Sequence, residues 1–521
     1  MAIHLPDLVV LALYFTGTVV LGLRFSRRSK KSTEAYFLGG RSFPGWAIGI
    51  SLIGSMISSV TFIAYPADSF KTAWVRFLPN LAFPLVVLLS AWLFIPFFRR
   101  GTISSAYQYL SIRFGPSVST YAAAVFLLSN IFRIATITYL VAMLLSAVVN
   151  IPVGWSILLA GGITAIYVAK GGMEAVVWTE VMQTMVLICG ALFCIGFVIW
   201  IIPGGLGQIV TEAWESGKLS FRDLNQATGE LEPIKSGITL TDKTGPMLVL
   251  VGFVQYLAGK LDQITVQRWC AAKSAREASK SMVVLGIASV PVWALFMFLG
   301  TCLWVYFQHH PTGVSQAVLA GQAKAEEILP HFIVTVLPAG AAGLVIAAAL
   351  AAAMSTLGGC ISAVSMVWVR DLYQPHLVKG RDDRHYLRVG FIASIVASGL
   401  MMGGAWLFYK SNSKTFADLA LILSALMGGG IPGAFLLGML TRIADLRAVI
   451  TGIIANVLFT TWALSMQFGL TSMVFDLYYT AILGNVITFG VGYLSARLRR
   501  VKPDRDLTNL TVWDQSSEKL V

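Results

Sequence analysis

The sequence predicts an all-α integral membrane protein of about thirteen transmembrane helices, and three observations predict it. Hydrophobic residues make up 56% of the chain and charged residues 12%, about half the charge of a soluble domain. Apolar stretches of bilayer-spanning length recur near 5–24, 44–66, 77–98, 118–149, 153–169, 175–201, 246–259, 281–306, 341–369, 387–408, 416–440, 447–468 and 473–498. The basic residues then fall on alternate sides of these stretches. Arg24 to Arg41, Arg99 to Arg113, Lys260 to Lys280, Arg370 to Arg384, Arg442 with Arg447, and Arg497 to Lys502 all lie on one face if the N-terminus is outside. Cytoplasmic loops carry such an excess, with Lys410 and Lys414 the exceptions, so the C-terminus is expected in the cytoplasm of a multi-pass plasma (cell inner) membrane protein. The net charge of +13 thereby finds its partner in the lipid bilayer and requires no nucleic acid.

Taken in order, the first stretch lacks a basic leader and has its positive charge after it, which marks a retained span rather than a cleaved signal. The second, GWAIGISLIGSMISSVTFIAYPA, crowds Gly54, Ser55, Ser58, Ser59 and Thr61 at its centre and ends at Pro66. Such a helix breaks readily, and broken backbone at membrane depth lines a cavity and exposes carbonyl oxygens. Arg133 stands mid-span in SNIFRIATITYLV. A central arginine costs about 2.5–3.5 kcal/mol to insert, so it faces the bundle or a wet cavity. An internal ion pair, a carbonyl clamp and a planar fork for a solute carboxylate all satisfy it. Glu180, near the inner end of its span, reads as a surface charge, a proton site or a cation ligand.

Segment 203–245 has mixed charge and reads as an ordered external loop with a short helix; 307–331 is polar and also external. The stretch 246–259 is short and extends into the segment after it. In 341–369 the hydroxyls Ser355 and Thr356 sit among Ala and Gly without any charge. That pattern is either a helix-packing seam or one wall of a cation site whose second wall is the broken backbone near Gly54. Met427-Gly428-Gly429-Gly430-Ile431-Pro432-Gly433 reads as a hinge. Residues 1–502 form one transmembrane domain and 503–521 a polar cytoplasmic tail. The five cysteines lie within spans or at their inner ends and imply no disulfide framework.

Seven segments carry a family likeness: Ala35-Tyr36-Phe37-Leu38-Gly39-Gly40-Arg41, ISSVTF at 57–62, FIPFFRRGTISSAYQYLSIRFG at 94–115, GGMEAVVWTEVMQ at 171–183, DQITVQRWCAAKS at 262–274, AAAMSTL at 351–357 and MGGGIPGAFLLGMLTR at 427–442. In this order the chain resembles the sodium:solute symporters, from about residue 5 to 500. The resemblance implies two five-helix inverted repeats of the amino-acid transporter type, here 44–201 and 246–440, with the solute at the midplane. It implies a shared sodium site on the Gly54, Ile57 and Ala352 carbonyls and the Ser355 and Thr356 hydroxyls. Hard cations take oxygen ligands, which fits. Among the family, spans two, four and eleven are similar to the sialic acid transporters. That likeness implies Arg133 on the solute carboxylate, with Ser58, Thr61 and Asn80 completing the pocket.

The sequence departs from that pattern at Met56, where a threonine is expected, and at Asn80, where a glutamine is. The segment 262–274 is closer to the sugar transporters. A sugar acid such as sialic acid is therefore the first expected solute, a neutral sugar the second and a short monocarboxylate the third. Sialic acid transporters of this family can hold a second sodium on hydroxyls just past the shared site and on an aspartate. Here those positions are Gly358, Gly359 and Glu180, so one sodium per solute is expected. The chain is expected to work as a monomer. A channel lacks a continuous pore pattern, an enzyme lacks a His and acid cluster within the spans, and a membrane-embedded solute sensor lacks room in so short a tail for a signalling domain.

Overall fold

A computed structural model describes residues 4–99, 103–225, 228, 230–411, 430–467, 469–472, 474–500 and 506–513. The described chain is overwhelmingly helical. Among the described residues, nine helices are long and apolar enough to cross a membrane, or eleven if each of two bent pairs counts as one span. The count from hydropathy differs for two reasons. The expected spans 153–169 and 175–201 are one helical run, Val153–Ile201, folded at Gly172, whose φ of 58° and ψ of −152° leave the helical region. At 1.5 Å per residue that run is about twice the hydrocarbon thickness, so its legs on either side of Gly172 are the two spans read from the sequence. The expected span 416–440 and the hinge 427–433 lie partly outside the described residues, which resume at Gly430; helix Ile431–Leu440 is the described remainder.

Helix Ala341–Val367 is the axis of the molecule. Its apolar window is 94% buried, against 22% for the N-terminal helix Leu5–Arg24, which faces outward. Small side chains allow this. A Cβ on Gly190 of the Val153–Ile201 helix would stand 2.5 Å from Ala348 Cβ, so only glycine lets the two backbones meet there.

Two spans are bent. The first joins helices Gly45–Met56 and Ser59–Lys71 at an angle of 59°. Ile57 takes extended angles (φ −92°, ψ 96°) and Ser58 likewise (φ −86°, ψ 172°), which stops the helical ladder partway along the span. The second joins Gly245–Lys260 and Gln263–Ala271 at 53°. The stretch 246–259 thus continues past its apparent end, as expected.

The segment after Ile201 contains helix Gly205–Glu215 and a two-stranded antiparallel hairpin, Arg222–Leu224 with Leu231–Pro233. It is pinned to the bundle by Lys218. The Lys218 ammonium donates to the carbonyls of Phe70 (2.7 Å) and Thr72 (2.6 Å) and lies 5.1 Å from the Trp304 ring. These acceptors end the second half of the first bent span, where a helix offers unpaired carbonyls and a negative dipole end. Burial pushes this lysine down to about 7. Part of the expected tail is also docked: the Trp513 indole donates to the Leu440 carbonyl at 2.8 Å, and the Tyr109 hydroxyl to the Leu510 carbonyl at 3.1 Å.

Candidate functional site: a cation cage beside a charged cavity

The break after Met56 brings the first bent span against Ala341–Val367. Ser355 Oγ lies 2.8 Å from the Gly54 carbonyl and 3.0 Å from that of Ala352, one hydroxyl proton serving two acceptors. Thr356 Oγ1 donates to the Ala352 carbonyl at 3.2 Å. Gly54, Ala352, Ser355 and Thr356 are thus brought together, all buried, with Ile57 at the break beside them. The donor set consists of neutral oxygens: two hydroxyls, the Gly54 carbonyl beside the helix break, and the Ala352 carbonyl within an unbroken helix. That chemistry suits sodium, a hard monovalent cation. A bound ion would take the lone pairs now shared among these groups.

Next to the cage is a cavity of about 280 Å³ whose lining includes Met56, Thr61, Arg133, Lys260, Asp262 and Thr356. Thr356 therefore belongs to both: its hydroxyl joins the cage and its side chain forms cavity wall. Asn80 is buried behind the wall, where its amide accepts from the Tyr256 hydroxyl and donates to the Tyr65 hydroxyl at 3.2 Å. Both tyrosines line the cavity, so Asn80 braces the rings that do. Ser58 directly precedes the second half of the bent span, its side chain makes no capping hydrogen bond there, and it is not among the lining residues.

Glu180 is buried, with its side chain 1% exposed, so its surface reading is corrected. Its Oε1 accepts from Arg268 Nη2 at 2.5 Å and from Ser55 Oγ at 3.2 Å, and Oε2 accepts from Ser51 Oγ. Arg268 Nε donates to Ser51 Oγ at 2.9 Å and Nη1 to the Ile264 carbonyl at 2.8 Å. A Cβ on Gly359 would meet Arg268 Nη2 at 2.6 Å and Glu180 Oε1 at 3.0 Å. The absent side chain at 359 is thus what admits the guanidinium. The network ties the Val153–Ile201 helix to both bent spans.

Two residues placed in a cytoplasmic cluster by their position in the sequence belong to the interior instead. Lys260 is 3% exposed and Arg268 1%. Hydropathy averages over a window and reads a charge at the end of an apolar stretch as the start of a loop. The chain instead turns at Leu261–Asp262 and stays in the bundle. The signal that could have found them is the likeness of 245–271 to the first bent span: a short apolar helix, a break, then a second helix.

The sequence compares closely with known transporters. The model of the sodium:solute symporter family matches residues 36–455, most of the chain. The chain belongs to the sodium:solute symporter family. It is 28% identical to the sodium/sialic acid symporter NanT of Aliivibrio fischeri over 94% of this chain and 92% of that one. It is 29% identical to the sodium/sialic acid symporter SiaT of Proteus mirabilis over 93% of each. The sodium/glucose cotransporter of Vibrio parahaemolyticus is 26% identical over 92% of this chain and 89% of that one. A solved structure of a Na+-coupled sialic acid symporter, substrate-bound and outward-open, superposes with a TM-score of 0.85 at 27% identity, covering 97% of this chain and all of that one. As a member of the family the protein is a multi-pass membrane transporter that couples a small solute to sodium.

Proposed function

We propose that this symporter imports a sugar acid, with sialic acid the first to test, driven by one sodium ion held by Gly54, Ile57, Ala352, Ser355 and Thr356. The observation that carries the reading is the shared wall: Thr356 stands in the oxygen cage and in the cavity that Arg133 lines. An ion on that hydroxyl fixes the side chain the solute meets, which is how one binding event favours the other. The sialic acid relatives supply the solute class. Arg133 gives the cavity a planar fork suited to a carboxylate, and Thr61 a hydroxyl for the solute's own. Met56 removes a hydroxyl from the wall and adds bulk, so selectivity should differ from that of a site with threonine there.

The two bent spans, at 45–71 and 245–271, support a five-plus-five inverted-repeat core in which they are the paired first members. Alternating access would then move one bundle against the other around the midplane. A plasma-membrane location with the N-terminus outside agrees with the basic clusters that remain on loops, and a single chain contains the whole site.

The role of Arg133 is tested by uptake into proteoliposomes. Arg133→Lys keeps the charge and loses the fork; one charge-assisted hydrogen bond is worth about 1.5–3 kcal/mol, so affinity for the acid should fall roughly ten- to hundredfold. Arg133→Ala should lose more. Equal sialic acid uptake by wild type and Arg133→Ala would remove the carboxylate role, and saturable uptake of a neutral hexose in its place would favour the neutral-sugar reading.

A further inference from the structure

Two basic side chains, Arg133 and Lys260, and one acidic one, Asp262, line the cavity. Lys260 is the last residue of helix Gly245–Lys260, at the bend, and its side chain forms part of the cavity wall. It is 3% exposed. Its ammonium lies 3.8 Å from the Met56 sulfur and 4.9 Å from the centre of the Phe83 ring. A thioether is a weak acceptor and a ring face offers only its quadrupole, so neither replaces the water that burial removes. Among the described residues, no oxygen accepts a hydrogen bond from Lys260, and neither Lys260 nor Arg133 belongs to an ion pair.

The negative charges nearby are accounted for. Asp262 lines the same cavity and is close enough to Arg133 to sense its charge. Glu180 is committed to Arg268 and the serines of the first bent span. With sodium in the cage and Lys260 protonated, Arg133, Lys260 and the ion would face one carboxylate in this cavity, that of Asp262. A buried ammonium with three donors and no acceptor is costly unless something arrives to meet it.

We propose that Lys260 is a second anion anchor, and that the cavity selects a solute with two acidic groups, one for Arg133 and one for Lys260. The class is a sugar acid bearing a second carboxylate or a phosphate. This rests on the sugar-acid reading of the same cavity and narrows it. Both groups stay ionised and no bond is made or broken; the gain is the meeting of two desolvated cations by two anions carried on one frame.

The test is equilibrium binding to the purified full-length protein in saturating sodium. The probes are a six-carbon aldarate (two carboxylates), the corresponding hexuronate (one), the hexuronate 1-phosphate, N-acetylneuraminate and the parent hexose. Wild type should bind at least one of the two probes with two acidic groups about tenfold or more tighter than either monoanion. Which one it prefers identifies the second group. Lys260→Met, close in length and uncharged, should bring the preferred doubly acidic probe down to the hexuronate's affinity while leaving hexuronate binding within a few-fold. Lys260→Arg should retain the preference, and Lys260→Gln replaces Lys260→Met if the latter does not fold. Monoanions bound as tightly as both doubly acidic probes by wild type, or a preference for two acidic groups that survives Lys260→Met, would overturn the proposal while leaving the sugar-acid reading intact. Binding of the hexose with no binding of any acid would remove the sugar-acid reading and this proposal with it.

Discussion

Replacing both Ser355 and Thr356 by alanine should raise the sodium concentration for half-maximal uptake about a hundredfold or more. The two hydroxyls are the side-chain members of the cage; Gly54, Ile57 and Ala352 would contribute backbone oxygens that no substitution removes. Each interaction of a neutral oxygen with a buried charge is worth about 1.5–3 kcal/mol, and 1.4 kcal/mol is tenfold in affinity. Ser355→Ala alone should cost more than Thr356→Ala, because the Ser355 hydroxyl reaches both walls of the cage, Gly54 and Ala352, whereas that of Thr356 reaches only Ala352. Sodium-dependent thermal shift of the purified protein reads this without transport, since a bound ion stabilises by mass action. A double variant with wild-type sodium affinity would take Ser355 and Thr356 out of the site.

The second large effect concerns stability. Arg268 and Glu180 are an ion pair with both side chains 1% exposed and further hydrogen bonds to Ser51, Ser55 and the Ile264 carbonyl. Removing one partner leaves the other charged, buried and unpaired, which costs about 3–5 kcal/mol. Glu180→Gln and Arg268→Gln should each lower the melting temperature in detergent markedly. The combined variant should lose clearly less than the sum, because it leaves neither charge stranded. Single variants that melt with wild type, or a double variant whose loss equals the sum, would show that the pair does not join the long helix to the bent spans as its geometry implies.

Much of this architecture is legible in the sequence, and the exceptions have physical causes. The first bent span is visible because Gly54, Ser55, Ser58, Ser59 and Thr61 cluster within one apolar stretch and Pro66 comes after them, and the bend falls at Ile57–Ser58. The second is harder to see, since Lys260 and Asp262 at its break resemble the edge of a membrane rather than its middle. Ser355 and Thr356 stand out as hydroxyls in an uncharged run, but their carbonyl partners leave no trace in residue type. Arg133 declares itself by its cost in mid-membrane. The partner of Glu180 does not: Arg268 is distant in the chain, and only the bend after Lys260 brings it inward. Asn80 is polar and buried, which is all a sequence can say; that it braces Tyr65 and Tyr256 depends on where those rings stand.

We propose that one sodium ion, held in the Ser355–Thr356 cage, drives one solute. A second ion would need oxygens past the first site. Gly358 and Gly359 offer no side-chain oxygen, and the Arg268 guanidinium occupies the space at Gly359 and engages Glu180. The direct measurement is the steady-state accumulation of solute in proteoliposomes as the sodium gradient is varied, with the membrane potential clamped at zero by potassium and an ionophore. Under that condition the logarithm of the solute ratio rises with the logarithm of the sodium ratio, with a slope equal to the number of sodium ions per solute. A slope of one, abolished in the Ser355→Ala, Thr356→Ala variant, is the expected result. A slope of two would contradict the single-site assignment, and accumulation indifferent to sodium would contradict the coupling itself.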